Sequence, residues 1–478
     1  MPLHPTTPLK TRLRPRLLAV AASSAVLAGV LLAPVAASAE AGPTTSACPP
    51  AVADVADCWT GQDDNGAWYA IAVPHDWNGD LVVLAHGGPD LDDYSDPGRS
   101  VEDLQRWSVM LREGYAWVGS TYRRGGYGTR MAVADTESAR TIFEQAFGVP
   151  GRTFAHGHSW GGNVAAKLVE VHPRTYDGVL LTNGVLAGGS RGYDFRVDLR
   201  VVYQYYCGNH PRPSEPQYPL WMGLPKDSTM TSDDLRSRLQ ECTGFLSAPA
   251  DRTTIQQRNL SDILEVTKVP ERTLETHLRF ATFTFRDIVH HRLGGRNPFA
   301  NAGVRYSGSH DDKALNENVQ RFAADPSARR DLRWDSDLTG AVSVPTVTLH
   351  AIDDPTAFVE HESAYRATRE GAGSADELVQ IFSRESEHSG MSKSGYAAAM
   401  EALAGWVRTG TRPTPAAVAA SCPIFDATYG SGCFLDPEFV PRSFASRVEP
   451  RPGGLRWPTM TAAQERAWSR IPGIGIAP

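Results

Sequence analysis

The chain has 478 residues, 47 basic and 54 acidic side chains, and a formal net charge of −7. It is long for one simple domain, although one domain with a large insertion accommodates this length. No basic stripe interleaved with aromatic residues occurs along the chain, so the sequence argues against a nucleic-acid partner.

The first 39 residues have the pattern of a secretory signal peptide. Arg12, Arg14 and Arg16 precede an uncharged apolar run, 17–35, and small residues follow up to Ala39. Polar and helix-breaking residues interrupt the run, which favours cleavage after Ala39 over a membrane anchor. Cleavage removes four basic residues and no acidic one, leaving 43 basic against 54 acidic residues and a net charge of −11. We therefore expect a secreted, extracellular protein with no membrane span after cleavage.

All six cysteines follow this segment and fall into three close pairs along the chain, Cys48 with Cys58, Cys207 with Cys242, and Cys422 with Cys433. An oxidising compartment makes three local disulfides the natural interpretation. Six cysteines allow many connectivities, so this pairing is a hypothesis. No Cys-x-x-Cys and no histidine cluster accompanies the cysteines, and we expect no metal and no cofactor.

Short β-rich runs alternate with helical stretches along much of the chain. Alternation of this kind predicts an α/β fold with a mostly parallel sheet covered by helices. The predicted strands are Trp68–Val73, Leu81–Ala85, Ala116–Thr121, Thr153–Ala155, Gly178–Thr182, Thr346–Leu349 and Leu378–Phe382.

Between residues 188 and 334 the strand pattern stops and helices are predicted instead. Leu274, Leu278, Ala281, Phe285 and Ile288 recur at steps of four and three, which predicts one amphipathic helix. The other helical candidates here are Ser232–Cys242, Ile255–Val266 and Ala314–Ala323.

We interpret this region, 188–334, as a helical cap inserted between two strands of the sheet, with a second independent domain as the alternative. The sheet domain then comprises residues 40–187 and 335–410. Residues 411–478 are expected to form an arm along the surface, held by a disulfide and carrying no catalytic pattern.

A serine flanked by small residues lies between a predicted strand and a predicted helix. Ser159 is the centre of the pentapeptide Gly-His-Ser-Trp-Gly (157–161). A hydroxyl becomes an effective nucleophile only when the backbone presents it in a cleft beside a base, and small neighbours permit the sharp turn. Ser190 has the same spacing of glycines but precedes polar and aromatic sequence. The context favours Ser159 as the nucleophile.

A serine nucleophile needs a base that takes its proton and a carboxylate that holds the base in the right tautomer. In the expected chain order, the acid follows a late strand and the histidine follows the next strand. Asp353 and Asp354 follow the strand at 346–349, and His388 follows the strand at 378–382. His388 is the predicted base, and one of the two aspartates is its partner.

An oxyanion intermediate needs two amide donors, one after the nucleophile and one in the loop after the third strand. Trp160 supplies the first amide. The loop His86-Gly87-Gly88-Pro89 supplies the second. Pro89 has no amide hydrogen, so the donor is predicted to be Gly88, with Gly87 as the alternative.

These motifs together resemble the α/β-hydrolase superfamily from about Trp68 to Arg408, with the cap as the variable part. Superfamily members often read His-Gly-x-x-Asp-Pro at the acid strand. Aligning that pattern on His350 selects Asp354 over Asp353, although Ala351 stands where a glycine is usual. Asp353 stays open as the alternative.

The oxyanion loop also resembles the His-Gly-Gly-Pro-Gly motif of the prolyl iminopeptidase branch of that superfamily. Asp90 stands where this motif ends in glycine, and His158 stands where that branch commonly has glycine. An aminopeptidase would also need acids that hold a free amino terminus. The cap contains three acidic candidates, Glu265, Glu271 and Glu275. We interpret them first as the solvent-exposed face of a helix.

The sequence and the resemblance predict a secreted serine esterase that works through an acyl-enzyme, with Ser159, His388 and Asp354 as the triad. Its expected substrate is a small-molecule or polymeric carboxylic ester. A secreted aminopeptidase related to prolyl iminopeptidase is the alternative function. A non-catalytic binding protein is a third hypothesis, which the presence of a candidate for every triad position argues against.

Overall fold

A computed structural model describes residues 42–91, 95–449 and 451. The predicted signal peptide, 1–39, and residues 452–478 of the predicted arm lie outside the described residues. The strands are β1 (Thr44–Ser46), β2 (Ala56–Gln62), β3 (Trp68–Pro74), β4 (Leu81–Ala85), β5 (Ala116–Ser120), β6 (Thr153–His158), β7 (Gly178–Thr182), β8 (Thr346–Ala351) and β9 (Leu378–Ser383).

These strands form one sheet in the order β1-β2-β3-β5-β4-β6-β7-β8-β9. The first three strands and the β3–β5 pair are antiparallel, and all pairs from β5 to β9 are parallel. The predicted α/β fold is confirmed, and each predicted strand is present with small shifts at its ends. Strands β1 and β2, which the sequence analysis did not identify, extend the antiparallel edge.

Helices cover both faces of the sheet. They are α1 (Pro97–Arg106), α2 (Ser108–Arg112), α3 (Thr129–Phe147), α4 (Trp160–Val171), α5 (Asp194–Cys207), α6 (Ser232–Thr243), α7 (Thr254–Thr267), α8 (Leu274–Arg279), α9 (Asp312–Asn318), α10 (Pro326–Ser336), α11 (Glu360–Gly371), α12 (Lys393–Thr409) and α13 (Pro415–Tyr429).

Strand β4 illustrates why these residues form a central strand. Its five residues are all buried, as expected for a parallel strand covered on both faces. Leu81, Val83 and Ala85 pack in one apolar cluster, and Val82 and Leu84 pack in the other. Successive side chains of a strand point to opposite faces, so one short apolar run serves two cores.

The named elements between β7 and β8 are all helices, from α5 to α10, and loops such as 208–219 join them. The predicted apolar stripe from Leu274 to Ile288 is buried, and the one helix predicted there is present, although it is not α-helical throughout. Helix α8 ends at Arg279, and two π-helical segments follow, Phe280–Thr284 and Asp287–Arg292. The apolar period was readable from the sequence, whereas the wider π turns carry no comparable signal.

The helical region packs on the sheet and also has a core of its own. Ala281, Phe285 and Ile288 belong to the same apolar cluster as the strand residues Val83 and Val118. A separate cluster is formed largely by α5 to α9. This arrangement suits an insertion that covers one end of the sheet, and the exact boundaries of the cap stay a prediction. The helix expected at 314–323 is shorter, since Val319 is already extended.

Three disulfides pin the chain, and the predicted pairing is confirmed for all six cysteines. Cys422 in α13 is joined to Cys433, after which the arm pairs with β9 through Ser383 and Leu435. Arg451, near the end of the described chain, bonds Asp198 of α5. These contacts join the described part of the predicted arm to β9 and to α5.

Candidate active site

The turn between β6 and α4 holds Ser159 in a strained backbone conformation. Its φ is 60° and its ψ is −126°, values that residues other than glycine rarely adopt. A Cβ at Gly157 would lie 2.1 Å from the carbonyl oxygen of Gly161, and a Cβ at Gly161 would lie 2.2 Å from that of Ala85. Only glycine fits at either position, so the two glycines allow the turn that presents Ser159.

Three side chains from distant parts of the sequence meet at this turn. Ser159 Oγ lies 2.8 Å from Nε2 of His388, and Nδ1 of His388 lies 2.7 Å from Oδ2 of Asp354. The network assigns the proton on Nδ1 to the bond with Asp354, which leaves Nε2 free to accept from the serine. Ser159 follows β6, Asp354 follows β8 and His388 follows β9. The structure brings together the serine, histidine and aspartate expected from the sequence.

The choice between the two adjacent aspartates is clear from their positions. The Asp354 side chain is 0% exposed, and its Oδ1 accepts hydrogen bonds from the amides of Thr356 and Ala357. Asp353 is exposed, and its amide donates to the carbonyl oxygen of Glu385. Asp354 is therefore the carboxylate that contacts His388.

A second buried histidine supports the acid loop. His350, at the end of β8, donates through Nε2 to the carbonyl oxygen of Ala357, and its Nδ1 lies 3.0 Å from Glu362. Burial opposes the charge of this imidazole, but the hydrogen bond and the negative charge of Glu362 raise the pKa of His350. His350 Nε2 is 3.7 Å from Asp354 Oδ2. The histidine that marked the sequence motif thus holds the loop that carries Asp354.

Asn183 is a site residue that sequence analysis missed. It follows β7 with φ 45°, and its side-chain amide donates to the carbonyl oxygen of His388 at 2.6 Å. Its side-chain oxygen accepts from the amide of Ala351 at 2.8 Å. One buried side chain therefore ties the His388 loop to the end of β8. Its position after a central strand was the only available sequence signal.

His158 packs directly against His388. Its ring centroid lies 5.0 Å from that of His388, and its two nitrogens lie near Thr182 and Ser389. Burial, with the neighbouring His388 as the next cause, holds the pKa of His158 well below its usual range. His158 is therefore an uncharged side chain whose packing fixes the position of the His388 ring.

The loop after β4 passes close to Ser159. A Cβ at Gly87 would lie 3.6 Å from Cβ of Ser159, and Gly88 has φ 114°. Tyr122 donates its hydroxyl to the carbonyl oxygen of His86 at 2.8 Å. Close backbone approach and a positive φ explain the glycine pair. The loop expected to supply an oxyanion donor is thus beside Ser159, with Trp160 at the first turn of α4.

A pocket opens beside this loop, at the carboxyl ends of β4 and β5. It is a small depression open to solvent and is lined in part by His86, Pro89, Tyr122, Arg124 and Trp160. Ligands of open α/β sheets bind at the carboxyl ends of the strands. Of the arginines in the preceding loop, Arg123 is anchored to the fold by Asp135, whereas Arg124 lines the pocket.

The rival serine, Ser190, is buried and bonded to Asp337 through both its amide and its hydroxyl. No histidine contacts it among the described residues, so the structure gives it a structural role. No group of histidine, cysteine and acidic side chains suited to a metal ion occurs in the described ranges. None of the described helices is long and apolar enough to cross a bilayer.

The strand order, the strained serine turn, the aspartate after β8 and the histidine after β9 define the α/β-hydrolase fold. The helical region between β7 and β8 is its insertion. The structure supports the superfamily resemblance seen in the sequence and does not select a branch.

Comparison with known proteins shows a partial sequence similarity and structural likenesses at low identity. No protein-family model matches the chain. O-phthalyl amidase from Xanthobacter agilis is 31% identical over 117 residues, which is 24% of this chain and 24% of that protein. The chain thus matches about a quarter of the length of this relative.

Solved structures are similar at low identity. An esterase from Aspergillus oryzae is 13% identical with a TM-score of 0.41, covering 78% of this chain and 86% of that one. Candida antarctica lipase A is 9% identical with a TM-score of 0.41, covering 90% of each chain. Acylaminoacyl peptidase from Pyrococcus horikoshii has 10% identity and a TM-score of 0.31, covering 70% and 38%. These likenesses are too low to assign an activity.

Proposed function

We propose that the protein is a serine hydrolase that cleaves carboxylic esters through an acyl-enzyme. The observation that carries this proposal is the hydrogen-bonded chain from Ser159 Oγ through His388 to Asp354, at 2.8 and 2.7 Å. Distances of this size are within reach for proton transfer in the resting enzyme. No cofactor is needed for this chemistry.

In the proposed mechanism, Ser159 attacks the substrate carbonyl while His388 takes its proton on Nε2. Asp354 stabilises the resulting imidazolium through Nδ1. The amides of Trp160 and Gly88, or Gly87 in place of Gly88, donate to the oxyanion. His388 then gives its proton to the leaving alcohol, and a water molecule activated by the same histidine releases the acid and restores Ser159.

The test is labelling and turnover with a serine variant. Ser159→Ala should abolish both covalent labelling by a fluorophosphonate and hydrolysis of 4-nitrophenyl butyrate, because the attacking oxygen is gone. Ser190→Ala is the matched control, since it has the same glycine spacing but its hydroxyl bonds Asp337; it should still be labelled. Labelling that persists in folded Ser159→Ala would refute the assignment.

Amide hydrolysis is the second candidate function. The partial match to o-phthalyl amidase, a protein named for action on amides, favours it. The aminopeptidase alternative gains less support, because Glu271 contacts Arg252 and Glu275 lies 3.9 Å from Arg236. Turnover of acyl 4-nitrophenyl esters, acyl anilides and unblocked aminoacyl anilides separates the three. An aminopeptidase would lose activity when the amino group is blocked.

We further propose that the enzyme is exported and acts outside the cell. Three disulfides suit an oxidising compartment, and the first 39 residues have the pattern of a cleaved leader. Mass determination of the protein from the culture medium of an expressing cell should give a chain beginning at Glu40. Retention of the full chain inside the cell would contradict export.

A further inference from the structure

Arg196 is a buried cation whose neighbours are mostly aromatic. It lies on α5, in the helical insertion, and is 5% exposed. Its guanidinium carbon lies 4.0 Å from the ring centroid of Phe280, 4.8 Å from that of Phe195 and 5.2 Å from that of Tyr193. Aromatic faces attract a cation but do not neutralise it.

No carboxylate balances this charge among the residues that the structure describes. Within the described part of the chain, the Arg196 side chain makes one hydrogen bond, from Nε to Nδ1 of His277 at 3.2 Å. Its two terminal nitrogens have no described partner, and they are not among the unpaired atoms that the fold seals from solvent. Burial lowers the pKa of Arg196 to about 10, so the side chain stays charged near pH 7.

Another arginine of the same helix shows the contrast. Arg200, one turn further along α5, is also buried and has no acidic partner among the described residues. It donates to the carbonyl oxygen of His210 and to the hydroxyl of Tyr218, and its Nε and Nη1 are sealed inside the protein. Arg200 therefore acts within the fold, whereas Arg196 keeps two donors accessible.

Two contact paths connect Arg196 to the reacting groups. On one side, Nε2 of His277 donates at 2.9 Å to the carbonyl oxygen of Pro355, the residue after Asp354. On the other side, the ring of Tyr193 contacts Tyr127, which in turn contacts Trp160, with centroid distances of 5.9 and 5.7 Å.

Arg196 is thus linked through its neighbours to the acid loop and to the turn that carries Ser159. Phe280, the closest ring, begins a π-helical segment and is partly exposed. Segments of this kind recur at functional sites. The guanidinium and the ring together offer a charged end and an apolar wall on the same side of the insertion.

We propose that Arg196 binds a carboxylate of the substrate, so that the preferred substrates are esters or amides that carry a free carboxylate on an apolar or aromatic body. An isolated buried charge is costly unless a partner pairs with it, and a planar guanidinium with two free donors suits a carboxylate. This inference rests on the proposed hydrolase function. A cation here also disfavours the free ammonium group of an aminopeptidase substrate.

The test compares matched substrates. The first series compares 4-nitrophenyl benzoate with its 2-, 3- and 4-carboxy derivatives, which carry the carboxylate on the acyl ring. The second series uses phenyl benzoates that carry the carboxylate on the phenol ring, which is the leaving group. Rates without enzyme are subtracted, because a neighbouring carboxylate can itself assist hydrolysis. We expect wild-type kcat/KM to favour at least one carboxylated substrate by about 10- to 100-fold. The position that is favoured identifies the side of the scissile bond that faces Arg196.

Arg196→Gln should bring this preference to about 1, and Arg196→Lys should leave an intermediate value, since it keeps the charge but loses the planar fork. Arg200→Gln is the matched control and should keep the wild-type preference. An equal rate for neutral and carboxylated substrates in the wild type would overturn the proposal. A preference that survives Arg196→Gln would do so too.

One further measurement covers the case in which the Arg196 variant does not fold. If Arg196→Gln does not fold, the competitive inhibition constants of benzoate and benzamide are compared on the wild type. Benzoate should bind at least about tenfold more tightly than benzamide. Equal inhibition would then refute the carboxylate site. Failure of the hydrolase proposal is distinguishable, because it would show as no turnover of any substrate and no fluorophosphonate labelling of Ser159.

Discussion

Asp354→Asn changes one atom of the site and tests the proposed role of the acid. In the structure, Oδ1 of Asp354 accepts from the amides of Thr356 and Ala357, and Oδ2 accepts from Nδ1 of His388. The carbonyl oxygen of an asparagine must take the Oδ1 position, because the two amides can only donate. Its NH2 group then faces Nδ1 of His388, which drives the histidine proton to Nε2, toward Ser159.

The magnitude follows from two losses. A histidine cation and a carboxylate whose charge centres are about 4 Å apart interact by about 4 kcal/mol at an effective dielectric constant near 20. Losing that stabilisation of the imidazolium corresponds to about a thousandfold in rate. The wrong tautomer adds to it, so we expect kcat to fall by about 10³ to 10⁴ with a folded protein.

The assay is steady-state hydrolysis of 4-nitrophenyl butyrate by the wild type, Asp354→Asn and Asp353→Asn. Asp353 is the matched control, since its side chain is exposed and it precedes Asp354 directly. We expect Asp353→Asn to retain activity within about threefold, as for a surface change away from the reacting groups. The assignment would be refuted if Asp353→Asn lost the activity and Asp354→Asn kept it.

Two further predictions concern buried polar residues around the site. Asn183→Ala removes the bonds to the carbonyl oxygen of His388 and the amide of Ala351, so kcat should fall by about 10- to 100-fold with KM nearly unchanged; a KM effect alone would contradict a positioning role. Burial lowers the pKa of His156 from 6.5 to about 3. Between pH 6.5 and about 3, the unfolded chain therefore binds one more proton at His156 than the folded protein does. The free energy of unfolding falls by about 1.4 kcal/mol for each pH unit as the pH is lowered through this range. His156→Gln should make the pH dependence of the unfolding free energy shallower by about one proton, measured by urea denaturation at pH 4.5 and 6.5, and an unchanged slope would disprove this.

Much of the fold was readable because its parallel strands are short apolar runs buried on both faces, as in Leu81–Ala85. The antiparallel strands Thr44–Ser46 and Ala56–Gln62 were missed, since they include exposed polar residues and a glycine. The π turns after Arg279 were missed because the same apolar residues suit an α-helix of similar period. Disulfide pairs followed from their closeness in sequence.

The geometry of the site was predictable where it depends on chain order, and less so where it depends on packing. Ser159, Asp354 and His388 each end a strand or follow one, so the pattern of strands placed them together. Asn183 and Arg196 have no such marker. An asparagine after a strand and an arginine on a helix are ordinary residues until their neighbours are known, and only the fold supplies those neighbours.

The acid loop explains why orientation of the base and recognition of the substrate are expected to vary together. Asp354 holds His388, while the next carbonyl oxygen, that of Pro355, accepts from the His277 that holds Arg196. A shift of this loop moves Asp354, which orients His388. It also moves the carbonyl oxygen of Pro355, which supports His277 and through it the proposed substrate-binding Arg196, by the same displacement. Because a misplacement of about 1 Å can cost about a hundredfold in rate, His277→Ala should lower activity more on a carboxylated substrate than on a neutral one. The loop then connects the proposed triad to the helical insertion through the bonds of Asp354 and Pro355.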